Sequence, residues 1–148
     1  MKLDNNGYLL ICEFEGLRLK PYLCSAKVPT IGYGNTYYPN GVRVTLLDKP
    51  ITKEYAFEIF KDIADKYAKR VYAMVKQPLT QNQFNSLVSF AYNVGTGNFS
   101  TSTLLKKVNE NPNDLSIRAE FMKWNKANKV VVNGLTTRRK KESDIYFS

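Results

Sequence analysis

Between Leu17 and Val44 the chain carries six residues that a helix interior does not tolerate: Pro21, Pro29, Gly32, Gly34, Pro39 and Gly41. Tyr, Val, Thr and Ile fill the intervals, and Asn40-Gly41 between a Tyr-rich and a Val-rich run is a hairpin signal. This stretch cannot belong to an all-helical bundle. It predicts a small, twisted antiparallel sheet.

On either side the pattern is helical. Residues 3–15 set Tyr8, Ile11, Cys12 and Phe14 among polar neighbours ahead of Gly16, which predicts an amphipathic helix. After Pro50, Thr52 is placed to cap a long helix ending at Pro78. Its expected buried stripe is Ala56, Phe57, Ile59, Phe60, Ile63, Ala64, Tyr67, Val71, Met74 and Val75. Thr80-Gln81-Asn82-Gln83 has the form of a capping box opening the next helix. That helix should turn Phe84, Leu87, Val88, Ala91 and Tyr92 inward and end at Gly95. Shorter helices are expected over residues 102–109, 114–127 and 137–147, with Asn133-Gly134 as the turn between the last two.

The 148 residues suffice for one domain with a real core. The expectation is α+β: a β lobe at about 17–50, a helical lobe at about 51–148 joined by the N-terminal helix, and a cleft between them. Composition narrows the chemistry. There is no histidine, which excludes Ser-His-Asp and Cys-His catalysis and His-ligated zinc. Two cysteines make neither a four-cysteine metal site nor a disulfide scaffold. Cys12 and Cys24 are read as free thiols. The formal charge of +9 favours polyanions such as nucleic acid, anionic lipid or acidic polysaccharide. The apolar run from Tyr8 to Cys12 is too short for a membrane span or a signal sequence, so synthesis in the cytoplasm is expected.

The segment Glu15-Gly-Leu-Arg-Leu-Lys-Pro-Tyr22, then Cys24, then Thr30-Ile-Gly-Tyr-Gly34 sets a carboxyl, a thiol and a hydroxyl at the junction of helix and sheet. Taken singly, each has a structural explanation: a solvated Glu, a small buried Cys, a strand Thr. Together they resemble the signature of the phage-type lysozymes, glycoside hydrolase family 24. Eight residues separate Glu15 from Cys24 and five separate Cys24 from Thr30, which is that family's catalytic spacing. Further stretches resemble the family's endolysins in the same order: Pro78-Leu-Thr-Gln-Asn-Gln-Phe84, Phe90-Ala-Tyr-Asn-Val-Gly95, Ser102-Thr-Leu-Leu105, Lys123-Trp-Asn125 and Gly134-Leu through Arg139. Two positions depart from the pattern. Many members carry Asp where this chain has Cys24, and the Gly-x-Gly is usually followed by His where this chain has Asn35.

The resemblance implies a lysozyme-like fold and an endolysin that hydrolyses the β-1,4 bond between N-acetylmuramic acid and N-acetylglucosamine, with inversion and without cofactor or metal. It implies Glu15 as general acid, with Cys24 and Thr30 holding the attacking water. Gly32, Tyr33, Gly34, Asn35, Ser102, Asn125 and Arg138 are the implied substrate-binding positions. Glycoside hydrolysis does need a proton for the leaving oxygen and a nucleophile on the opposite face. Partial burial at a helix end would keep a carboxyl protonated for the first role. Thr30 cannot act as a base and is read as orienting the water. The expected partners are peptidoglycan and a separate holin that lets a monomeric enzyme reach the periplasm, with no nucleic acid and no stable membrane insertion. Two other readings are weighed: a basic nucleic-acid-binding module resting on Arg138-Arg-Lys-Lys141 and ten Tyr, and a silent cell-wall-binding lysozyme fold. The ordinary reading of that basic cluster is a solvated helix face.

Overall fold

The computed structural model describes all 148 residues. The chain divides into two compact units, Tyr8–Lys66 and Met1–Gly7 with Tyr67–Ser148.

In the Tyr8–Lys66 unit, helix α1 (Asn5–Glu15) arrives from the preceding residues and stops because Gly16 turns left-handed, φ 67°. Its start is set by Asp4, whose carboxylate accepts from the Gly7 N–H at 3.0 Å. Strands β1 (Arg18–Leu23) and β2 (Pro29–Gly32) pair antiparallel, with Tyr22 opposite Thr30 and Leu23 opposite Pro29. An irregularity in β1 between Arg18 and Tyr22 coincides with Pro21, which cannot donate to a ladder. The sheet is shorter than residues 17–44 suggest. Beyond Gly32 it survives only as single bridges, Ile31 with Asn35 and Tyr37 with Arg43. The cause is the backbone: Gly32 and Gly34 hold φ of 67° and 81°, which coils the chain out of the strand. The Asn40-Gly41 turn forms where expected, closed by Tyr38 and Val42. A small core of Ile31, Val44 and Ile59, flanked by Tyr38 and Ile51, holds this loop region to the start of helix α2 (Lys53–Met74). The Thr52 hydroxyl accepts from the Tyr55 N–H at 3.1 Å, the expected cap. Of the expected stripe on α2, Ala56, Ile59, Phe60, Ala64 and Val71 are buried, and Ala68 joins them.

The other unit is helical. Helix α3 (Gln81–Val94) opens with the complete capping box, Thr80 to Gln83 and back. It was expected to bury one face. Instead every residue from Gln83 to Ala91 is buried, including Asn85, Ser86 and Ser89. Helix α4 (Thr96–Ser100) follows Gly95, and helix α5 (Thr103–Glu110) follows its cap Ser102. The helix expected over 114–127 is only α6 (Ile117–Met122). Past it, β3 (Lys126–Ala127) and β4 (Val130–Val131) form a hairpin whose two-residue turn is Asn128-Lys129, φ 51° and 65°. Two successive left-handed residues suit the twist of a tight hairpin, and Asn accepts that conformation readily. Asn133-Gly134, expected as a turn, lies in the first turn of helix α7 (Asn133–Tyr146). Helices α3 and α7 pack together, and the ring of Phe90 meets Phe99, Phe121 and Trp124 edge to face at 6.1, 5.6 and 5.6 Å. No helix in the protein is long and apolar enough to cross a membrane.

Candidate active site

The Tyr8–Lys66 unit brings together the carboxyl, the thiol and the hydroxyl singled out in the sequence. Glu15 is the last residue of α1 and is partly exposed. Gly34 explains why the following loop needs glycine. A Cβ built on it would stand 3.0 Å from Glu15 Oε2, and its φ of 81° already disfavours any side chain. The loop backbone therefore closes directly over the carboxyl. Gly32 makes a second close approach, against Ala56 and Ile59 of α2. Asn35, 2% exposed, locks the loop between them. It exchanges backbone hydrogen bonds with Ile31 at 2.9 Å in both directions, and its Nδ2 donates to the Ile59 carbonyl at 3.3 Å. The Asn35 Oδ1 is buried without a partner. Tyr33 stacks on Phe60 at 5.5 Å between ring centroids.

Cys24 follows β1 and opens a turn, with the Lys27 N–H donating to the Cys24 carbonyl at 2.8 Å and the Cys24 N–H donating to the Val28 carbonyl at 3.1 Å. Hydrogen bonding from the turn backbone at Val28 and then from the Thr30 hydroxyl and the Ala26 backbone draws the thiol below its ordinary pKa, against a smaller opposing effect of desolvation. The hydroxyl of Thr30, 2% exposed, donates to the Val28 carbonyl at 2.8 Å. Cys12 is the opposite case. Burial, and then the charge of Glu15, push it up to about 12. Both cysteines are free.

Tyr22, quoted in the sequence only as part of a motif, belongs to the same hairpin. The Arg18 guanidinium lies over its ring, 4.6 Å from the centroid. No group of three or more His, Cys, Asp and Glu side chains is placed to hold a metal ion.

The remaining sequence candidates lie in the helical unit. Ser102 is the N-cap of α5: its Oγ accepts from the Leu105 N–H at 3.1 Å and donates to the Phe99 carbonyl at 2.7 Å. Asn125 donates to Thr136 Oγ1 at 3.1 Å, and its carbonyl accepts from Val132, closing the hairpin ahead of α7. Arg138 and Arg139 are not a solvated face. They are 4% and 0% exposed and share the buried carboxylate of Glu142. Arg138 also donates to the Ser89 carbonyl at 3.0 Å, and Arg139 to the Trp124 carbonyl at 2.9 Å and to Asn93. Ser89 donates to Glu142 at 2.5 Å, which explains a serine deep in α3. Burial draws the Arg139 guanidinium below its usual range, with Glu142 pulling the other way. Of the other two basic residues, Lys140 is exposed and Lys141 half-buried.

Comparison with known proteins gives the chain its family. The family model for phage lysozyme matches residues 12–142. The chain is 38% identical over 153 residues to an endolysin of Acyrthosiphon pisum secondary endosymbiont phage 1, covering 100% of this chain and 99% of that protein. Among solved structures it matches the endolysin from Escherichia coli O157:H7 phage FAHEc1 with a TM-score of 0.93 and 38% identity, over 100% of this chain and 94% of that one. It also matches the muramidase domain of SpmX from Asticaccaulis excentricus with a TM-score of 0.86 and 30% identity, over 99% and 98%. The α+β architecture is therefore lysozyme-like, and this chain belongs to the phage lysozyme family: it is a glycoside hydrolase that lyses bacterial peptidoglycan.

Proposed function

We propose that the enzyme cleaves the β-1,4 bond between N-acetylmuramic acid and N-acetylglucosamine, with Glu15 as general acid and the Cys24–Thr30 pair holding the attacking water. The observation that carries this is the hairpin itself. Its turn sets Cys24 where the turn backbone and the Thr30 hydroxyl lower the thiol's pKa, in the compact unit whose loop closes over Glu15. Glu15 gives its proton to the leaving oxygen, so the bond breaks with charge developing on the sugar ring rather than on the departing hydroxyl. An ionised Cys24 accepts a hydrogen bond from the water, and Thr30 fixes that sulfur. Gly32, Tyr33, Gly34 and Asn35 shape the wall beside the carboxyl. Ser102, Asn125 and Arg138 remain proposed substrate-binding positions, all three with side chains already engaged within the helical unit, in a cap, a turn and the Glu142 cluster. If water, rather than sulfur, forms the new bond to carbon, the product is inverted.

The same proposal has a monomeric enzyme made in the host cytoplasm, admitted to the periplasm by a separate holin, and acting on the cell wall without a cofactor. Burial of Arg138 and Arg139 removes the basic cluster on which a nucleic-acid reading rests. The deciding experiment is Glu15→Gln, assayed by turbidity loss of chloroform-treated Gram-negative cells. Loss of roughly 10²–10⁴-fold is expected from a folded protein, with Glu13→Gln as the control. A folded Glu15→Gln protein that clears cells at the parent rate overturns the assignment.

A further inference from the structure

The β1–β2 hairpin presents a third functional group on the side of the thiol and hydroxyl. Residues directly opposite in an antiparallel pair project to the same face, so Tyr22 shares its face with Thr30. Cys24 lies two residues on, at the alternation that returns to that face. Between Arg18 and Tyr22 the register shifts. A regular strand would separate the Cα atoms of residues four apart by roughly 13 Å. The irregularity at Pro21 instead lets the Arg18 guanidinium lie 4.6 Å from the centre of the Tyr22 ring. Irregularities of this kind re-aim side chains next to active sites.

The electrostatic surroundings agree with this geometry. The Tyr22 phenol is held above its ordinary pKa first by burial and further by Cys24 and Glu15, with Arg18 opposing. Both reacting partners thus lie within electrostatic reach of one hydroxyl. The perturbation comes from burial and charge, not from a hydrogen bond that would occupy the group. The phenol stays protonated and remains available as a donor.

We propose that Tyr22 is a further substrate-contacting residue of this site: its hydroxyl, on the hairpin face of Thr30 and Cys24 and aimed by the Arg18 stack, donates a hydrogen bond to an acceptor oxygen of the sugar undergoing cleavage. This rests on the assignment of Glu15, Cys24 and Thr30 above. The hydrogen bond strengthens as the sugar ring departs from its resting geometry, so it acts on kcat more than on KM. Arg18 is a positioning residue. It touches no reacting atom, and its effect passes through the ring it covers.

The test uses the full chain and soluble peptidoglycan fragments in steady-state kinetics. Tyr22→Phe should lower kcat about tenfold with KM within about twofold and an unchanged thermal midpoint. Arg18→Gln should lower kcat in the same direction by less. Replacing Tyr22 with 3,5-difluorotyrosine keeps the ring and acidifies the phenol, so kcat should acquire an alkaline fall that neither the parent nor Tyr22→Phe shows. A structural role for the ring would not produce that limb. Parent-like kcat in Tyr22→Phe, or a difluorotyrosine enzyme with the parent pH profile, overturns the inference while an inactive Glu15→Gln leaves the underlying site standing. An active Glu15→Gln protein overturns both.

Discussion

The two units hold their shape by different means. The helical unit is organised around a helix buried on all sides, and it keeps an Arg–Glu–Arg cluster inside, every charge paired and hydrogen-bonded. The Tyr8–Lys66 unit has two strands, and its small cluster of Ile31, Val44 and Ile59 takes only Ile31 from the β1–β2 hairpin. Its candidate catalytic groups are held by backbone conformation: left-handed glycines, a turn whose backbone lowers a thiol's pKa, and a loop closed over a carboxyl. Packing tolerates adjustment among neighbouring side chains, whereas a backbone turn offers few alternatives. The comparison teaches that damage to the first unit should appear as lost stability, and damage to the second as lost activity.

Glu142→Ala is the strongest test of that division. It leaves two buried guanidinium groups without their shared carboxylate, and breaking a buried pair costs about 3–5 kcal/mol. A drop in thermal midpoint of about 10 °C is expected for a chain of this size. An unchanged midpoint would show that packing alone supports the helical unit. Gly34→Ala should behave the other way. The left-handed backbone penalises Ala by about 1–2 kcal/mol, and the new methyl displaces the Glu15 carboxyl. A shift of a few tenths of an ångström in that carboxyl should lower lytic activity about tenfold, while far-ultraviolet circular dichroism stays that of the parent.

Cys24 sharpens the comparison within the active unit. Cys24→Ala should reduce lysis about tenfold or more without unfolding, while Cys24→Asp, which restores an acceptor for the water, should keep substantial activity. The thiol chemistry has a defined sign. Its depressed pKa raises the thiolate fraction at neutral pH, so iodoacetamide should modify Cys24 well before Cys12, whose thiol holds its proton up to about 12. Equal labelling rates, read by mass spectrometry, would place Cys24 in an ordinary environment. For Cys12 the linkage runs against stability at high pH. The folded state keeps a proton that the unfolded chain releases above about 8.5, so stability falls as pH rises past that value. The smallest effect belongs to Thr80→Ala, which removes one side of the α3 capping box and should cost about 1 kcal/mol in urea denaturation, with lysis unaffected.

Features written in a few adjacent residues were legible from the chain alone. The Thr52 and Thr80 caps, the stop at Gly16 and the Asn40-Gly41 turn all rest on local hydrogen bonds or φ preferences, and each formed as read. The pairing of Thr30 with Cys24 rests on the family resemblance rather than on any local pattern. Distant packing was not legible. Ser89 looks like a surface residue of α3 until Glu142, fifty-three positions later, accepts its hydrogen bond. Arg138 and Arg139 look solvated until that same carboxylate and the carbonyls of Ser89 and Trp124 surround them. The hairpin at Lys126–Val131 was missed because Asn133-Gly134 carries the stronger turn signature, although Asn128-Lys129 takes the left-handed conformation. Tyr22 was visible as a motif letter, but its relation to Arg18 depends on a register shift that no periodicity displays.

Helix α1 runs from a fixed cap at Asp4 to Glu15 at its last position. Its span is thus a phase setting as well as a length. Each residue in a helix contributes about 1.5 Å of advance and about 100° of rotation. Adding or deleting one residue between cap and carboxyl would swing the Glu15 carboxyl by more than a quarter turn relative to that cap. Loops elsewhere in the chain can absorb insertions, but this interval cannot. The segment from Asp4 to Glu15 should therefore keep its residue count even where its side chains change freely.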